Sequence, residues 1–231
     1  MNIRIFQGTA APYPPADINI VIDVIRAFTV SHIAFLRGAA EILLVNTVDE
    51  AHALKSANPA LLLAGEVGGL PIAGFDLDNS PYTFSSQNLS GQTLVQKTSN
   101  GVKATLLALN ASHIFVTGLS NARKTALHVK QLLSTMPEGT VNIIASHADD
   151  DDDFACAEYI EAILQGHFHI TPGSISIRIL NSRPARKFQD EGQPEFDPRD
   201  LDFCIREIDC DFVMEVDQTS LPPRILRKTD A

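Results

Sequence analysis

Residues 65 to 81 read Gly-Glu-Val-Gly-Gly-Leu-Pro-Ile-Ala-Gly-Phe-Asp-Leu-Asp-Asn-Ser-Pro, and the rest of the chain is best understood outward from this stretch. The apolar run Ala60–Ala64 precedes it and predicts a buried strand. Four glycines and two prolines then exclude a regular helix or strand, so we expect a long loop. Polar side chains are concentrated in this loop, namely Glu66, Asp76, Asp78, Asn79 and Ser80.

A loop of this length that leaves a core strand is expected to carry a function, because ordering it costs conformational entropy. Its glycines let backbone amides approach a ligand closely. Its acids supply the oxygen ligands that a hard cation prefers. The alternative is a structural loop in which Asp and Asn side chains cap local turns. The residue types alone leave both interpretations open.

Strand-like and helix-like segments alternate along the chain. The predicted strands are Asn2–Phe6, Ile18–Ile22, Glu41–Val45, Ala60–Ala64, Thr93–Thr98, Ile114–Thr117 and Val141–Ser146. The predicted helices are Ala27–Arg37, Asp49–Ala57 with Thr47 as N-cap, Gly101–Asn110, Asn121–Leu133 and Asp152–Gln165. This alternation predicts an α/β fold with a mostly parallel central sheet and helices on both faces. A chain of 231 residues can bury one core, so we expect a single compact domain over residues 1–231.

Polar residues follow four of the predicted strands. Ligands in open α/β sheets bind outside the carboxyl ends of the strands, so we expect these residues to converge there. They are Asp23 and Arg26, Glu66, Ser99 and Asn100, and the acidic run Asp149–Asp153.

Asp23 directly follows an apolar strand, where a carboxylate needs hydrogen bonds, a cation or a shifted pKa. It is a candidate magnesium ligand or phosphoryl acceptor. Arg26 has the planar fork that binds phosphate or sulfonate through two hydrogen bonds. The alternative is an Asp23–Arg26 salt bridge that caps the next helix.

The turn Thr98-Ser99-Asn100-Gly101 offers hydroxyls, an amide and backbone N–H groups at the start of a predicted helix, which indicates either an anion site or a simple helix cap. The run Asp149–Asp153 is interpreted chiefly as a solvated helix start, with Asp153 as a candidate metal ligand. His147 beside it is a candidate acid or base, or a structural histidine.

The net charge of −10 argues against nucleic acid or an anionic membrane as a partner. No apolar run approaches the roughly 20 residues of a membrane-spanning helix. The N-terminus, Met-Asn-Ile-Arg-Ile-Phe, lacks the features of a signal peptide, so we expect a cytoplasmic protein. Cys156, Cys204 and Cys210 fit neither a disulfide framework nor zinc-ligand spacing. We take a homodimer as the hypothesis for the assembly.

The stretch Gly65–Pro81 resembles the signature of the ComB-like 2-phosphosulfolactate phosphatase family, Gly-Glu-x-Gly-Gly-x-x-x-x-Gly-Phe-Asp-x-x-Asn-Ser-Pro. Three shorter segments resemble family motifs in the same order. Val21–Ala27 resembles Asp-Val-x-Arg-Ala, Lys97–Gly101 resembles Thr-Thr-Asn-Gly, and Asp152–Ala157 resembles Glu-Asp-x-x-Cys-Ala-Gly. On these four motifs the chain is identified as a member of the family.

The resemblance implies a magnesium-dependent phosphatase that converts a small anionic phosphate ester, 2-phospho-3-sulfolactate, into 3-sulfolactate and phosphate, a step of coenzyme M biosynthesis. The candidate catalytic residues are Asp23, Arg26, Glu66 and Asn100. The candidate substrate-binding residues are Arg26, Gly69, Asn79, Ser80, Thr98, Ser99, Asn100 and Gly101. The candidate Mg²⁺ ligands are Asp23, Glu66, Asp76 and Asp153.

Four residues depart from the family pattern: Phe28, Val30, Val102 and Glu158. Val102 loses a hydroxyl, and Glu158 replaces a glycine and is expected to narrow or recharge the pocket. Two alternatives therefore stay open. One is a phosphatase for another small phosphorylated hydroxy acid, and the other is a non-catalytic protein that binds small anions with the same fold.

The tail from residue 174 gives conflicting signals. Ser174–Leu180 alternates like a strand, whereas the family comparison indicates a helix. Arg183–Pro198 is polar and expected to be exposed. Leu201–Ile208 predicts a helix, Phe212–Val216 a strand, and the last ten residues an irregular extension. A small C-terminal subdomain is the alternative to one domain.

Overall fold

The computed structural model describes residues 1–9, 12–136, 138–167 and 169–229, and its centre is one sheet of ten strands. The strands are β1 (Asn2–Gln7), β2 (Ala16–Ile22), β3 (Glu41–Leu44), β4 (Leu62–Val67), β5 (Leu70–Pro71), β6 (Thr93–Lys97), β7 (Ala111–Thr117), β8 (Thr140–Ala145), β9 (Phe212–Asp217) and β10 (Arg224–Thr229). Their order across the sheet is β1-β8-β2-β7-β9-β10-β3-β6-β4-β5. The predicted α/β class is confirmed.

The sheet consists of two parallel blocks joined by an antiparallel hairpin. Strands β1, β8, β2 and β7 are mutually parallel, and so are β3, β6 and β4. The hairpin β9–β10 lies between the blocks and pairs antiparallel with β7 on one side and β3 on the other. Three successive antiparallel pairings reverse the strand direction, so the two blocks run in opposite senses.

Helices cover both faces of the sheet, as predicted. They are α1 (Ala27–Leu36), α2 (Val48–Ala57), α3 (Pro81–Ser85), α4 (Gly101–Leu107), α5 (Leu119–Leu133), α6 (Asp151–Gln165), α7 (Pro172–Asn181), α8 (Arg183–Lys187) and α9 (Leu201–Cys204). Side chains of a strand alternate between its faces. In β2, Val21 joins the core with α1 and α4, whereas Ile20 and Ile22 pack with α5 and α6.

Helix α1 is the centre of the first core. Its residues from Ala27 to Phe35 are all buried, and apolar residues of both parallel blocks and of the hairpin surround it. A helix buried on all sides has no amphipathic pattern. The departures Phe28 and Val30 are buried in this core.

The glycine-rich stretch is more regular than predicted. Strand β4 continues through Glu66, and β5 pairs with it, Val67 opposite Leu70. Gly68 and Gly69 form the two-residue turn, both with positive φ, the backbone that tight hairpins require and that glycine adopts without strain. The expectation that this stretch excludes strand structure is therefore wrong for residues 65 to 71.

The helix interpretation of the tail segment 174–180 is confirmed and the strand interpretation is wrong. Helix α7 begins after Thr171, whose hydroxyl accepts the N–H of Ser174, and Pro172 takes the first turn. Ile175 and Ile179, four residues apart, are buried, whereas Ile177 is 64% exposed. Alternating isoleucines satisfy strand and helix spacing alike, and packing against α6 decides between them.

The end of the chain is not an irregular extension. Residues 224–229 form β10 inside the central sheet, where Ile225 is fully buried. The C-terminal hairpin therefore belongs to the common sheet rather than to a separate subdomain. No helix in the described part of the chain is both long and apolar enough to cross a membrane.

Candidate active site

The site lies at the start of α1, where the segments that follow β2 and β6 and the end of β4 come together. Asp23, which follows β2, is buried and accepts hydrogen bonds from two helix starts. Its Oδ1 accepts the N–H of Ala27 at 2.8 Å, and its Oδ2 accepts the N–H of Gly101 at 2.8 Å. Burial, followed by repulsion from Asp153 and Glu66, raises the pKa of Asp23 to about 7. A nearby cation would favour its charged form.

Two further buried acids lie behind Asp23. Asp153 accepts the N–H groups of Val24 and His147 and the hydroxyl of Ser146. Burial, followed by repulsion from Asp152, raises the pKa of Asp153 well above its usual range. Burial, followed by repulsion from Asp23, raises the pKa of Asp152 to about 7, and Asp152 Oδ1 has no hydrogen-bond partner among the described residues. Three buried carboxyl groups therefore lie close together, and no salt bridge to any of them is found within the described part of the chain.

The predicted solvated acidic run is only partly solvated. Asp149 and Asp151 are exposed, but Asp150, Asp152 and Asp153 are buried. The interpretation as a solvated helix start is therefore wrong for Asp150 and Asp152, and Asp153, the candidate metal ligand of the run, is buried as well. Burial follows from the position of α6, whose first turn packs against the ends of β2 and β8.

Glu66 connects the hairpin turn to the loop before α4. Its Oε2 accepts the N–H of Gly69 at 2.5 Å and the hydroxyl of Ser99 at 3.1 Å. Its Oε1 accepts the N–H of Ser99, and the Ser99 hydroxyl in turn accepts the N–H of Gly68. Three sequence-predicted residues, Glu66, Gly69 and Ser99, are thus brought together.

Arg26 is buried and its partner is Asp200, not Asp23. Arg26 Nη1 lies 2.8 Å from Asp200 Oδ2, and Nη2 donates to the carbonyl of Gly69 at 3.0 Å. The guanidinium carbon lies 4.9 Å from the ring centre of Phe188 and 5.7 Å from that of Phe196. The alternative of an Asp23–Arg26 salt bridge is therefore wrong, because Arg26 pairs with Asp200 and Asp23 accepts backbone N–H groups.

Asp200 is the main residue that sequence reasoning missed. It is fully buried, and its Oδ1 accepts the Ser80 hydroxyl at 2.5 Å and the N–H of Tyr82 at 3.1 Å. Burial raises its pKa, although the Ser80 hydrogen bond and the Arg26 charge act in the opposite direction. Asp200 thus joins the end of the glycine-rich stretch to Arg26.

These elements enclose a cavity of about 300 Å³. Its lining residues are Asp23, Ile25, Arg26, Glu66, Gly68, Gly69, Asn79, Ser99, Asn100, His147, Asp150, Arg183, Pro184, Lys187, Phe188 and Phe196. Helix α8 and the following loop supply one wall. The expectation that 183–198 is simply exposed is wrong, since Phe188 and Phe196 are buried. The sequence does carry a signal for this wall, namely two aromatic residues in an otherwise polar segment.

Asn79 and His147 also line the cavity. Asn79 is 4% exposed, and its Oδ1 has no hydrogen-bond partner among the described residues. His147 Nδ1 lies 2.7 Å from Asp150 Oδ2, which also pairs with Arg183. A buried oxygen without a hydrogen-bond partner is costly, which makes Asn79 a candidate for contact with a ligand.

Some predicted residues support the site from outside the cavity. Ser80 caps α3, Thr98 Oγ1 accepts the N–H of Val102, and Gly101 binds Asp23. Asn100 lines the cavity and makes no side-chain cap on α4. The turn before α4 therefore contains both a cap and cavity residues.

Asp76 is not brought to the cavity. Its carboxylate forms an ion pair with Lys55 at 2.9 Å and accepts the N–H of Leu63 at 2.7 Å, on the outer side of the sheet edge. Glu158 pairs with Arg178 and does not line the cavity, so the expected narrowing of the pocket by Glu158 is wrong. No group of three or more His, Cys, Asp or Glu arranged as a metal site is found in the described residues.

Comparison with known proteins agrees with the motifs. A family model described as 2-phosphosulpholactate phosphatase matches residues 8–219. A protein of Bacillus subtilis named "Probable 2-phosphosulfolactate phosphatase" is 53% identical over 227 residues, covering 98% of this chain and 99% of the relative. A protein of Deinococcus radiodurans with the same name is 36% identical over 182 residues, covering 75% of this chain and 72% of the relative.

Gly101→Ala should disturb the site through Asp23. A Cβ at residue 101 would lie 2.7 Å from Asp23 Oδ2 and 2.8 Å from Asp23 Cβ. We expect the carboxylate to move, and kcat/KM for a phosphate monoester such as p-nitrophenyl phosphate to fall roughly 10- to 100-fold. Gly173→Ala is the control, because the nearest atom to its added Cβ lies 4.0 Å away. Unchanged kinetics in Gly101→Ala would contradict a role for the Asp23 position.

Proposed function

The chain belongs to the 2-phosphosulfolactate phosphatase family, and from that premise we propose that it hydrolyses 2-phospho-3-sulfolactate to 3-sulfolactate and phosphate. The observation that carries the proposal is the chemistry of the cavity, which is lined by carboxylates and by cationic side chains together. Asp23 and Glu66 can offer carboxylate oxygens to a cation, whereas Arg26 can bind an anion. A phosphate ester with a bound Mg²⁺ would use both kinds of group.

The phosphate would be held by Arg26 and by the loop before α4. Asp200 and Gly69 occupy two N–H groups of the guanidinium and fix its plane, which leaves other N–H groups for anionic oxygens. Asn100 and Ser99 line the same cavity. Asn79 Oδ1 is available to accept a hydrogen bond from a hydroxyl of the substrate or from water.

The residues at the cavity fit a magnesium ion held by few protein ligands. Mg²⁺ is commonly bound by one or two carboxylates, with water and substrate phosphate completing its shell. Asp23 and Glu66 line the cavity and would be those carboxylates, since each oxygen that accepts an N–H retains a second lone pair. Asp153, outside the cavity, would act by orienting Ser146 and the main chain beside Asp23. When bound, the ion would neutralise charge on the phosphate.

Water is favoured over Asp23 as the nucleophile. Both Asp23 oxygens accept backbone N–H groups, which orients the carboxylate but lowers its nucleophilicity. Water would attack phosphorus and release a proton to solvent, the bond from phosphorus to the ester oxygen would break, and the leaving alkoxide would take a proton. His147 is placed to give that proton, because Asp150 holds Nδ1 and leaves Nε2 for the ligand.

Two alternatives remain from the sequence. One is a phosphatase for another small phosphorylated hydroxy acid, which the same cavity chemistry suits equally well. The other is a non-catalytic protein that binds small anions. A role in coenzyme M biosynthesis, a cytoplasmic location and a homodimeric assembly stay predictions.

Phosphate release from a substrate panel tests the proposal. We expect turnover of phosphosulfolactate to exceed that of phospholactate and phosphoglycerate. EDTA should abolish it and Mg²⁺ should restore it, since uncompensated acids at the cavity repel a phosphate. Faster turnover of phosphoglycerate would favour the first alternative. Binding of phosphate without hydrolysis of any ester would favour the second alternative. Full activity in metal-free buffer would contradict the proposed dependence on Mg²⁺.

His147→Gln should affect alkyl esters selectively. An alkoxide needs a proton as it leaves, whereas nitrophenolate leaves without one. We expect kcat for phosphosulfolactate to fall roughly 100-fold or more, and kcat for p-nitrophenyl phosphate by less than about 5-fold. Equal losses of kcat on both substrates would contradict the assignment of His147 as the proton donor.

Arg26→Lys should damage activity although the charge is kept. Lysine cannot reproduce the planar fork held by Asp200 and Gly69, and a lost charge-assisted hydrogen bond is worth about 1.5–3 kcal/mol. We therefore expect kcat/KM to fall roughly 10- to 100-fold. Steady-state kinetics and a melting curve measure the two effects separately. Near-wild-type kinetics would move Arg26 out of the substrate site and leave it a structural partner of Asp200.

A further inference from the structure

Of the long cationic side chains that line the cavity, one has no carboxylate partner among the described residues. Three long cationic side chains line it, Arg26, Arg183 and Lys187. Arg26 is paired with Asp200 and Arg183 with Asp150. Lys187 has no ion-pair partner among the described residues. Its positive charge therefore remains available at the cavity.

The ring of Phe196 places Lys187 beside the Arg26 end of the cavity. Lys187 Nζ lies 5.5 Å from the centre of this ring, and the Arg26 guanidinium carbon lies 5.7 Å from the same centre. The two charges are thus no farther apart than the sum of these distances. The ring also packs on the main chain of Gly69, where an added Cβ would lie 3.0 Å from Phe196 Cε1. Helix α8, the Phe196 ring and the β4–β5 turn therefore place Arg26 and Lys187 around one small volume.

We propose that Lys187 binds the sulfonate of the substrate and so selects phosphate esters that carry this further acid group. This inference rests on the proposed function, in which Arg26 and the loop before α4 hold the phosphate. A three-carbon acid phosphate has its charged groups close together, which suits two cations that share one aromatic ring. In a chain of net charge −10, an unbalanced lysine in a cavity is a local attraction for anions.

Helix α8 offers a matched control. Arg186 is next to Lys187 and both are exposed, but Lys187 lines the cavity and Arg186 does not. Lys187→Met and Arg186→Met each remove one positive charge from the same helix while keeping an unbranched side chain. Any effect of net charge alone should therefore be equal in the two variants.

Calorimetric titration of the full-length protein with 3-sulfolactate, lactate and inorganic phosphate, in Mg²⁺, tests the inference. We expect Lys187→Met to weaken 3-sulfolactate binding about 5- to 30-fold, as one partly exposed charged contact would. Its affinity for inorganic phosphate should change by less than about 2-fold. Arg186→Met should match the wild type for all ligands, and lactate, which lacks the sulfonate, should bind the wild type more weakly than 3-sulfolactate.

Equal effects of the two variants on 3-sulfolactate binding would overturn the assignment of Lys187. So would a wild-type protein that binds lactate as tightly as 3-sulfolactate, or that binds 3-sulfolactate not at all. The proposed function fails on a different measurement, when the wild type binds these anions but releases no phosphate from phosphosulfolactate. Melting curves of both variants confirm that each is folded.

Discussion

The buried carboxylate of Asp23 is the constraint on which the site depends. A buried charge must be hydrogen-bonded or paired, and Asp23 meets this need through the N–H groups of Ala27 and Gly101. Those two residues begin α1 and α4, which follow strands of opposite parallel blocks. One side chain therefore links the starts of two helices that follow opposite blocks, and the cavity lies beside it.

The buried ion pair of Arg26 and Asp200 also shapes the site. Arg26 lines the cavity, and Asp200 comes from the C-terminal part of the chain. Separating the two charges would leave an uncompensated charge in the interior. This energetic cost keeps Arg26 and Asp200 in contact. Asp200 also holds Ser80, which ends the glycine-rich stretch. Asp23, Asp152 and Asp153 form no such ion pair among the described residues. Burial and mutual repulsion raise the pKa of all three, which supports the proposal of a metal-assisted function because a nearby cation would favour the charged forms.

The sequence predicts what depends on local pattern. Strand and helix alternation, the Thr47 capping box of α2 and the cluster of Asp23, Glu66 and Ser99 follow from spacing and residue type. What it misses depends on partners distant in the chain. Asp200 gains its role from Arg26, 174 residues away, and β10 gains its place from β3. Asp76 has the right chemistry for a metal ligand, but Lys55 holds it elsewhere.

The central claim is that this cavity binds a divalent cation and an anion together. A crystal grown with Mn²⁺ and 3-sulfolactate tests it most directly, because manganese is identified by its anomalous scattering. The account predicts an anomalous peak about 2.0–2.3 Å from a carboxylate oxygen of Asp23 or Glu66, with the ligand inside the cavity. A peak at Asp76 with a ligand-free cavity, or no peak at saturating Mn²⁺, would contradict it.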